Sequence, residues 1–408
     1  MNTKKHILFV TQVLPYPLDA GAKVRAYYMI RHLAEHHRVT LASLVRPTDA
    51  QSVCDHLSGY CEQVCTVAIH RSLINDILSL MSGFLTGLPA LIVRDKSKRF
   101  RQTIARLLAE RRFDAIHVDQ IKAAQHVAGL GDSPRLIDMH NVYCEMIEGM
   151  ARLAGSGLKR WFLGREARTM ARYEARLCRQ FDEVVAVTEQ DTSKIARMIG
   201  HSRPVTTIPI CVDPTSAPMI EPCAESRDLL LMGAMFYPPN VDGALWFVRE
   251  IFPIVHSEIP GVRLRIVGPR PASAIVRAAR RDDQILVTGH VDDPSEHLAA
   301  SAVAVVPLRA GSGMRVKILD AMLRGIPVVS TRLGAEGIAA TDGENIFLAD
   351  TPEAFARAIV RLLRDVEVRR RVATNARRLV ETSYDWRKRY VEIDPVYERI
   401  FAGGARTQ

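Results

Sequence analysis

Short, nearly unbroken apolar runs recur along the chain, separated by longer stretches in which apolar residues return every three or four positions. The first run is His6–Thr11; helical spacing follows over Ala22–His37, and a second run lies at Val39–Leu44. A strand with so few polar interruptions is one buried on both faces, and helices alternating with such strands are the crossovers of a parallel sheet. Runs beginning at Val64 and spanning Ala115–Val118, Leu136–Met139, Glu183–Val187 and Val205–Pro209 extend that sheet. After Pro209 the periodicity stops, and Pro214, Pro218 and Pro222 mark a linker. The pattern then restarts with Leu229–Met232, Arg263–Val267, Ile285–Thr288, Ala302–Val306, Val328–Thr331 and Ile346–Ala349, each run ending in a small or polar turn. Six such switches predict a second doubly wound sheet. The expected fold is α/β, with one domain over 1–210, a linker over 211–226, a second domain over 227–385, and a terminal helix and frayed tail over 386–408.

Composition narrows the function. The chain has 408 residues, 48% of them hydrophobic and 25% charged, enough for two or more cores. A formal net charge of +10 points to an anionic partner: nucleic acid, a sugar nucleotide or acidic lipid. Nucleic acid is the weakest of the three, because there is no zinc-finger spacing, no RNA-recognition signature and no aromatic-rich basic strand. The seven cysteines are scattered and never form a Cys-x-x-Cys pair, and the chain opens directly into a strand, so a cytoplasmic protein with reduced thiols is expected. Ile77–Val93 is uncharged, yet Gly83, Gly87 and Pro89 interrupt it, and a spanning helix needs about 20 predominantly apolar residues. The run Leu158–Arg179 carries seven Lys/Arg against two Glu, with Trp161, Phe162 and Leu163 near its start. It reads either as a solvated face of a packed helix or as a helix lying on the anionic inner membrane.

The richest stretch is Val305–Ile338: strand, turn, Gly311-Ser312-Gly313 loop, helix, strand. The glycines permit close approach of a ligand, Ser312 is placed to cap the helix, and Arg315 and Lys317 add cations where free N–H groups already favour an anion. Lys317 and Asp320 fall on one helix face, a cation for phosphate beside a carboxylate for ribose hydroxyls. A plain helix start with an i,i+3 salt bridge fits the same residues. In the first half, the Pro15–Ala22 loop, with Gly21, lies at a strand's carboxyl end, where Lys23 and Arg25 add charge to a cleft. His140 sits at the end of another strand; it is a candidate for chemistry, for capping the next helix, or for bonding Asp138.

This stretch resembles the donor-binding signature of the retaining glycosyltransferase family 4, of the GT-B class. Its Gly-Ser-Gly…Lys form is most similar to bacterial exopolysaccharide sugar transferases, including those of PEP-CTERM systems. The resemblance implies two Rossmann-like domains facing across a cleft, the first on the acceptor side and the second on the donor side, with the C-terminal helix crossing back to the first. The family has two glutamates eight apart; here Ser312 and Asp320 stand in those places. Asp320 is conservative, Ser312 is not, and Glu336 is the nearest carboxylate able to replace the missing one. The resemblance further places His140 by the donor sugar or acceptor, Gly21 near the diphosphate, Gly233 and Asn240 in a donor-contacting loop, and Gly289 and His290 beside the nucleobase. Classical relatives grip the diphosphate with an Arg/Lys pair near the Gly233 loop; with that pair missing, Arg315 and Lys317 are expected to share or take over the task. The implied reaction moves a sugar from a UDP- or GDP-sugar to a glycan or polyprenyl-linked acceptor in cell-surface polysaccharide synthesis. No Asp-x-Asp triplet is present, so neither a metal nor another cofactor is expected. A non-hydrolysing sugar-nucleotide epimerase of the same fold and an inactive sugar-nucleotide-binding subunit are the competing readings.

Overall fold

The computed structural model describes residues 4–46, 51–69, 73–220 and 226–404. Cys223, with the rest of 221–225 in the expected linker, and 405–408 in the expected tail lie outside them. The chain divides into two compact units, one made of residues up to Cys211 together with those from Trp386 on, the other of Val212–Asp385.

The first unit is built on β1 (His6–Thr11), β2 (Arg38–Val45), β3 (Gln63–Ala68), β4 (Ala115–Asp119), β5 (Arg135–Met139), β6 (Glu183–Ala186) and β7 (Val205–Thr207), in the order β3-β2-β1-β4-β5-β6-β7. Every pairing is parallel; Ile7, for example, lies opposite Val39 on one side and Ala115 on the other. β1, β4 and β6 are buried at every position, which is why they read as unbroken apolar runs. Val10, Ile116 and Ile137 pack with Phe100 and Met170 from the flanking helices. The strand order reverses between β1 and β4.

The second unit repeats the plan with β8 (Asp228–Met232), β9 (Arg263–Val267), β10 (Ile285–Gly289), β11 (Ser301–Val306), β12 (Val328–Ser330) and β13 (Phe347–Leu348), in the order β10-β9-β8-β11-β12-β13, again all parallel. Leu229, Ile266 and Val305 meet Phe247 and Phe355 in its core. Here the order reverses between β8 and β11, and in doubly wound sheets ligands bind outside the carboxyl ends of the strands at such a reversal.

Within the described part of the linker, Cys211, Val212 and Ala217 are buried. One expectation needs correction. The terminal segment is not one helix but Trp386–Arg389, a 3-10 turn Tyr390–Ile393, and a helix Asp394–Gly404. Pro395 explains the break: it cannot donate within a continuous helix, but it fits the first turn of a new one. Trp386, Tyr390, Ile393 and Tyr397 are buried in the first unit, and Arg399 forks onto Glu183 at 2.7 and 2.8 Å. Among the described residues no helix is long and apolar enough to cross a membrane.

Candidate functional site

In the second unit, three turns are stitched together along the carboxyl ends of β8, β9 and β10. The Gly233 N–H donates to Val267 O and the Gly268 N–H to Gly289 O, both at 3.0 Å. Into the turn after β8 comes Lys317, carried by the helix Val316–Leu323 that follows β11. Its Nζ donates to Met232 O at 2.9 Å and to Asn240 Oδ1 at 3.1 Å, while Asn240 Nδ2 donates to Ala234 O at 3.0 Å. Gly233 makes room for this: a Cβ there would lie 2.8 Å from the Lys317 ammonium and 3.0 Å from Asn240 Nδ2. Arg315, which is buried, folds against Gly311, where a Cβ would stand 3.0 Å from its Nη2. Burial lowers the Lys317 pKa to about 8, and the charge of Arg315 adds to the effect. Two cations are thus held close together at the topological reversal, and an incoming anion would relieve both.

Gly233, Asn240, Gly311, Arg315 and Lys317 therefore come together, and Gly289 joins them through the turn ladder. The Gly334–Gly337 turn, which carries the half-buried Glu336, packs onto the end of β11: a Cβ at Gly334 would sit 2.9 Å from Val306 O. The cap and the i,i+3 pair expected here do not form. Ser312 does not cap the helix, whose N-cap is Arg315 with no side-chain cap; Ser312 and Gly313 belong to a loop that ends three residues later than expected. Asp320 bonds Arg324 one turn on, at 3.1 Å, in place of an ion pair with Lys317, which is drawn inward to Met232 and Asn240. His290 is solvent-exposed and lies 3.3 Å from Asp292.

In the first unit, the ends of β4 and β5 hold a buried charge network. His140 Nε2 lies 2.9 Å from Asp119 and 3.8 Å from Asp138. The next helix starts at Tyr143 with Val142 as its N-cap, so His140 does not cap it. Burial opposes the imidazolium, but Asp119 and then Asp138 outweigh it and raise the pKa to about 9. Asp138 is taken in a bidentate grip by Arg25, at 2.8 and 3.0 Å. Burial pushes the Asp138 carboxyl up, yet Arg25, then His117 and His140, hold it well below the usual range. The remaining Arg25 nitrogen donates to Ile208 O and Pro209 O, both at 2.7 Å. His117, on β4, meets Tyr397 of the terminal helix at 2.8 Å. Arg25 is therefore fully buried and neutralised, not a free charge in a cleft, and Lys23 pairs with Asp19 at 2.9 Å. Gly21 begins the helix Gly21–His36, half-buried.

Asp119, Asp138 and His140 offer three ligand atoms within 4.8 Å of one another. The cluster does not suit a metal ion. Arg25 occupies both oxygens of Asp138, so the carboxylate is already committed to a cation of the chain itself. The sequence reading offered Asp138 as a partner of His140, but missed the grip of Arg25 on Asp138 and the closer contact of His140 with Asp119. The only available signal was their position, since Asp119 and Asp138 lie at neighbouring strand ends.

Two doubly wound parallel sheets are the architecture of the GT-B class. The sequence agrees. Residues 226–365 match the family model described as glycosyl transferases group 1, and residues 20–216 match that described as glycosyltransferase family 4. The chain belongs to the family 4 glycosyltransferases. A relative from Klebsiella pneumoniae, an uncharacterized 44.6 kDa protein in the cps region, is 21% identical over 404 residues, covering 95% of this chain and 98% of its own. The Anabaena protein HepE, solved with UDP and glucose, shares the fold with a TM-score of 0.70 and 15% identity, over 97% of this chain and all of its own. Sucrose-phosphate synthase of Thermosynechococcus elongatus does so with a TM-score of 0.70 and 17% identity, over 98% of this chain and 100% of its own.

Proposed function

We propose that this glycosyltransferase moves a sugar from a nucleoside diphosphate to a glycan or lipid-linked glycan with retention of anomeric configuration, in the synthesis of a cell-surface polysaccharide. The observation that carries the reading is the half-buried Lys317, its ammonium fixed by Met232 O and Asn240 beside the buried Arg315 at the β8–β11 reversal. Leaving diphosphate is the charge that must be met, and cations held in place before the reaction meet it without reorganisation. The bond between the anomeric carbon and the β-phosphate oxygen breaks with its electron pair going to the diphosphate. The acceptor hydroxyl oxygen bonds that carbon on the same face, and its proton passes to the departing phosphate oxygen. No nucleophile from the chain is needed. His140, held protonated by Asp119 and Asp138, serves as a hydrogen-bond donor to sugar or acceptor and not as a base at neutral pH.

Support for a nucleotide-sugar donor also comes from HepE, which was solved with UDP and glucose; support for the polysaccharide role comes from the relative in the Klebsiella cps region. The test is a donor screen with membrane extract as acceptor source, the product's anomeric configuration being read by NMR. An α-linked product from an α-linked donor is expected. Inversion would overturn the mechanism, and donor turnover that needs no acceptor would favour an epimerase.

A further inference from the structure

Exposed apolar side chains are concentrated in one place. Of the eleven large hydrophobic residues exposed among those described, six are Leu78, Met81, Phe84, Leu85, Leu158 and Trp161, on only two helices. On the helix Leu73–Thr86, Leu78, Met81 and Leu85 follow at i, i+3 and i+7, with Phe84 beside them, so they share one face. Leu158 and Trp161 occupy the first turns of the helix Gly157–Cys178. Arg165 joins the two helices: its Nη2 donates to Phe84 O at 3.0 Å, and its guanidinium stands 4.3 Å from the centre of the Phe84 ring. Trp161 lies one turn before Arg165, so both groups of apolar residues belong to one surface.

The exposed charges of the Gly157–Cys178 helix are one-sided for a structural reason. Both acids of the Gly157–Cys178 helix point inward as caps for other segments. Glu166 accepts from the Ala90 N–H at 2.9 Å, and Glu174 accepts from Tyr143 N–H at 2.7 Å and Cys144 N–H at 3.1 Å. Lys159, Arg160, Arg168, Arg172 and Arg176 remain exposed with no exposed acid on their own helix. A solvated face explains the cations but not the apolar side chains beside them. A second copy of the chain in a symmetric contact would set this cation row against itself. An anionic bilayer satisfies both features, taking apolar side chains below the headgroups and cations among them.

We infer that the surface formed by Leu73–Thr86 and the first half of Gly157–Cys178 docks on an anionic lipid bilayer, with Leu85 and Trp161 as the inserted side chains. This does not depend on the transfer reaction, so it stands or falls separately from the proposed function.

The test uses the full chain with vesicles of phosphatidylcholine, with and without phosphatidylglycerol. Trp161 is 57% exposed while Trp246 and Trp386 are 4% and 2% exposed, so a change in tryptophan emission reports Trp161. Co-sedimentation with the anionic vesicles only, weakened by salt, is expected, together with a blue shift that Trp161→Phe abolishes. Leu85→Ser with Trp161→Ser, and separately Lys159→Glu with Arg160→Glu, should each weaken vesicle binding about tenfold or more while leaving the melting temperature unchanged, because all four side chains are exposed. Absence of binding to anionic vesicles, or binding that both double variants retain, overturns the proposal. So does a concentration-dependent dimer that the Leu85/Trp161 variant abolishes, which would make a second copy the occupant.

Discussion

Lys317 carries its charge at neutral pH by a small margin, because burial and Arg315 together bring its pKa down to about 8. Diphosphate needs the ammonium form, so nucleotide affinity should fall as pH rises through about 8; isothermal titration on either side of that value checks this, and equal affinities would remove Lys317 from the site. His140 shifts in the opposite sense. Against the cost of burial, Asp119 and Asp138 raise it from 6.5 to about 9, so the folded state binds its proton more tightly than the unfolded one. The resulting stabilisation is complete below about 6.5 and disappears as pH climbs through about 9, roughly 3 kcal/mol in all. Urea unfolding of the parent protein and of His140→Gln isolates it: their difference should shrink across that window. Asp138→Asn strands the fully buried Arg25 and should cost about 3–5 kcal/mol, whereas Arg25→Met with Asp138→Leu should cost much less.

Among elements, strands were the most legible. β1, β4 and β11 are buried at every position, and a run apolar on both faces has little else it can be. The start of the Lys317 helix was misread for a physical reason. Gly-Ser-Gly before a periodic stretch looks like a capped start, but the loop runs on to Arg315 so that the guanidinium can fold back onto Gly311. The Arg25–Asp138 pair was invisible to periodicity, because its partners lie 113 residues apart and a buried charge has no pattern of its own. Gly233 yields a test at this scale. A methyl there would displace the Lys317 ammonium, while its φ of 152° adds modest backbone strain. Gly233→Ala should therefore lose nucleotide affinity by more than the roughly 1 kcal/mol it loses in stability; calorimetry and urea unfolding on one preparation compare the two.

At the scale of the molecule, the terminal segment is part of the first unit's core and not an appendage. Trp386, Tyr390, Ile393, Val396, Tyr397 and Ile400 are each at most 2% exposed. Burying each is worth about 1.5–3 kcal/mol, so together they rival the whole stability of a domain. A chain ending at Asp385 should lose the melting transition of the first unit in scanning calorimetry, and an unchanged thermogram would show that unit to be independent of its terminal helix. The most direct test of the donor site is calorimetric titration of the full chain with UDP and with GDP, in the presence of a chelator, repeated on Lys317→Ala after its melting temperature is checked. Micromolar binding of one nucleotide, weakened at least about tenfold in a variant that still folds, is the predicted result. Binding of neither nucleotide, or equal binding by both proteins, would contradict the assignment of Lys317 and Arg315 to the diphosphate.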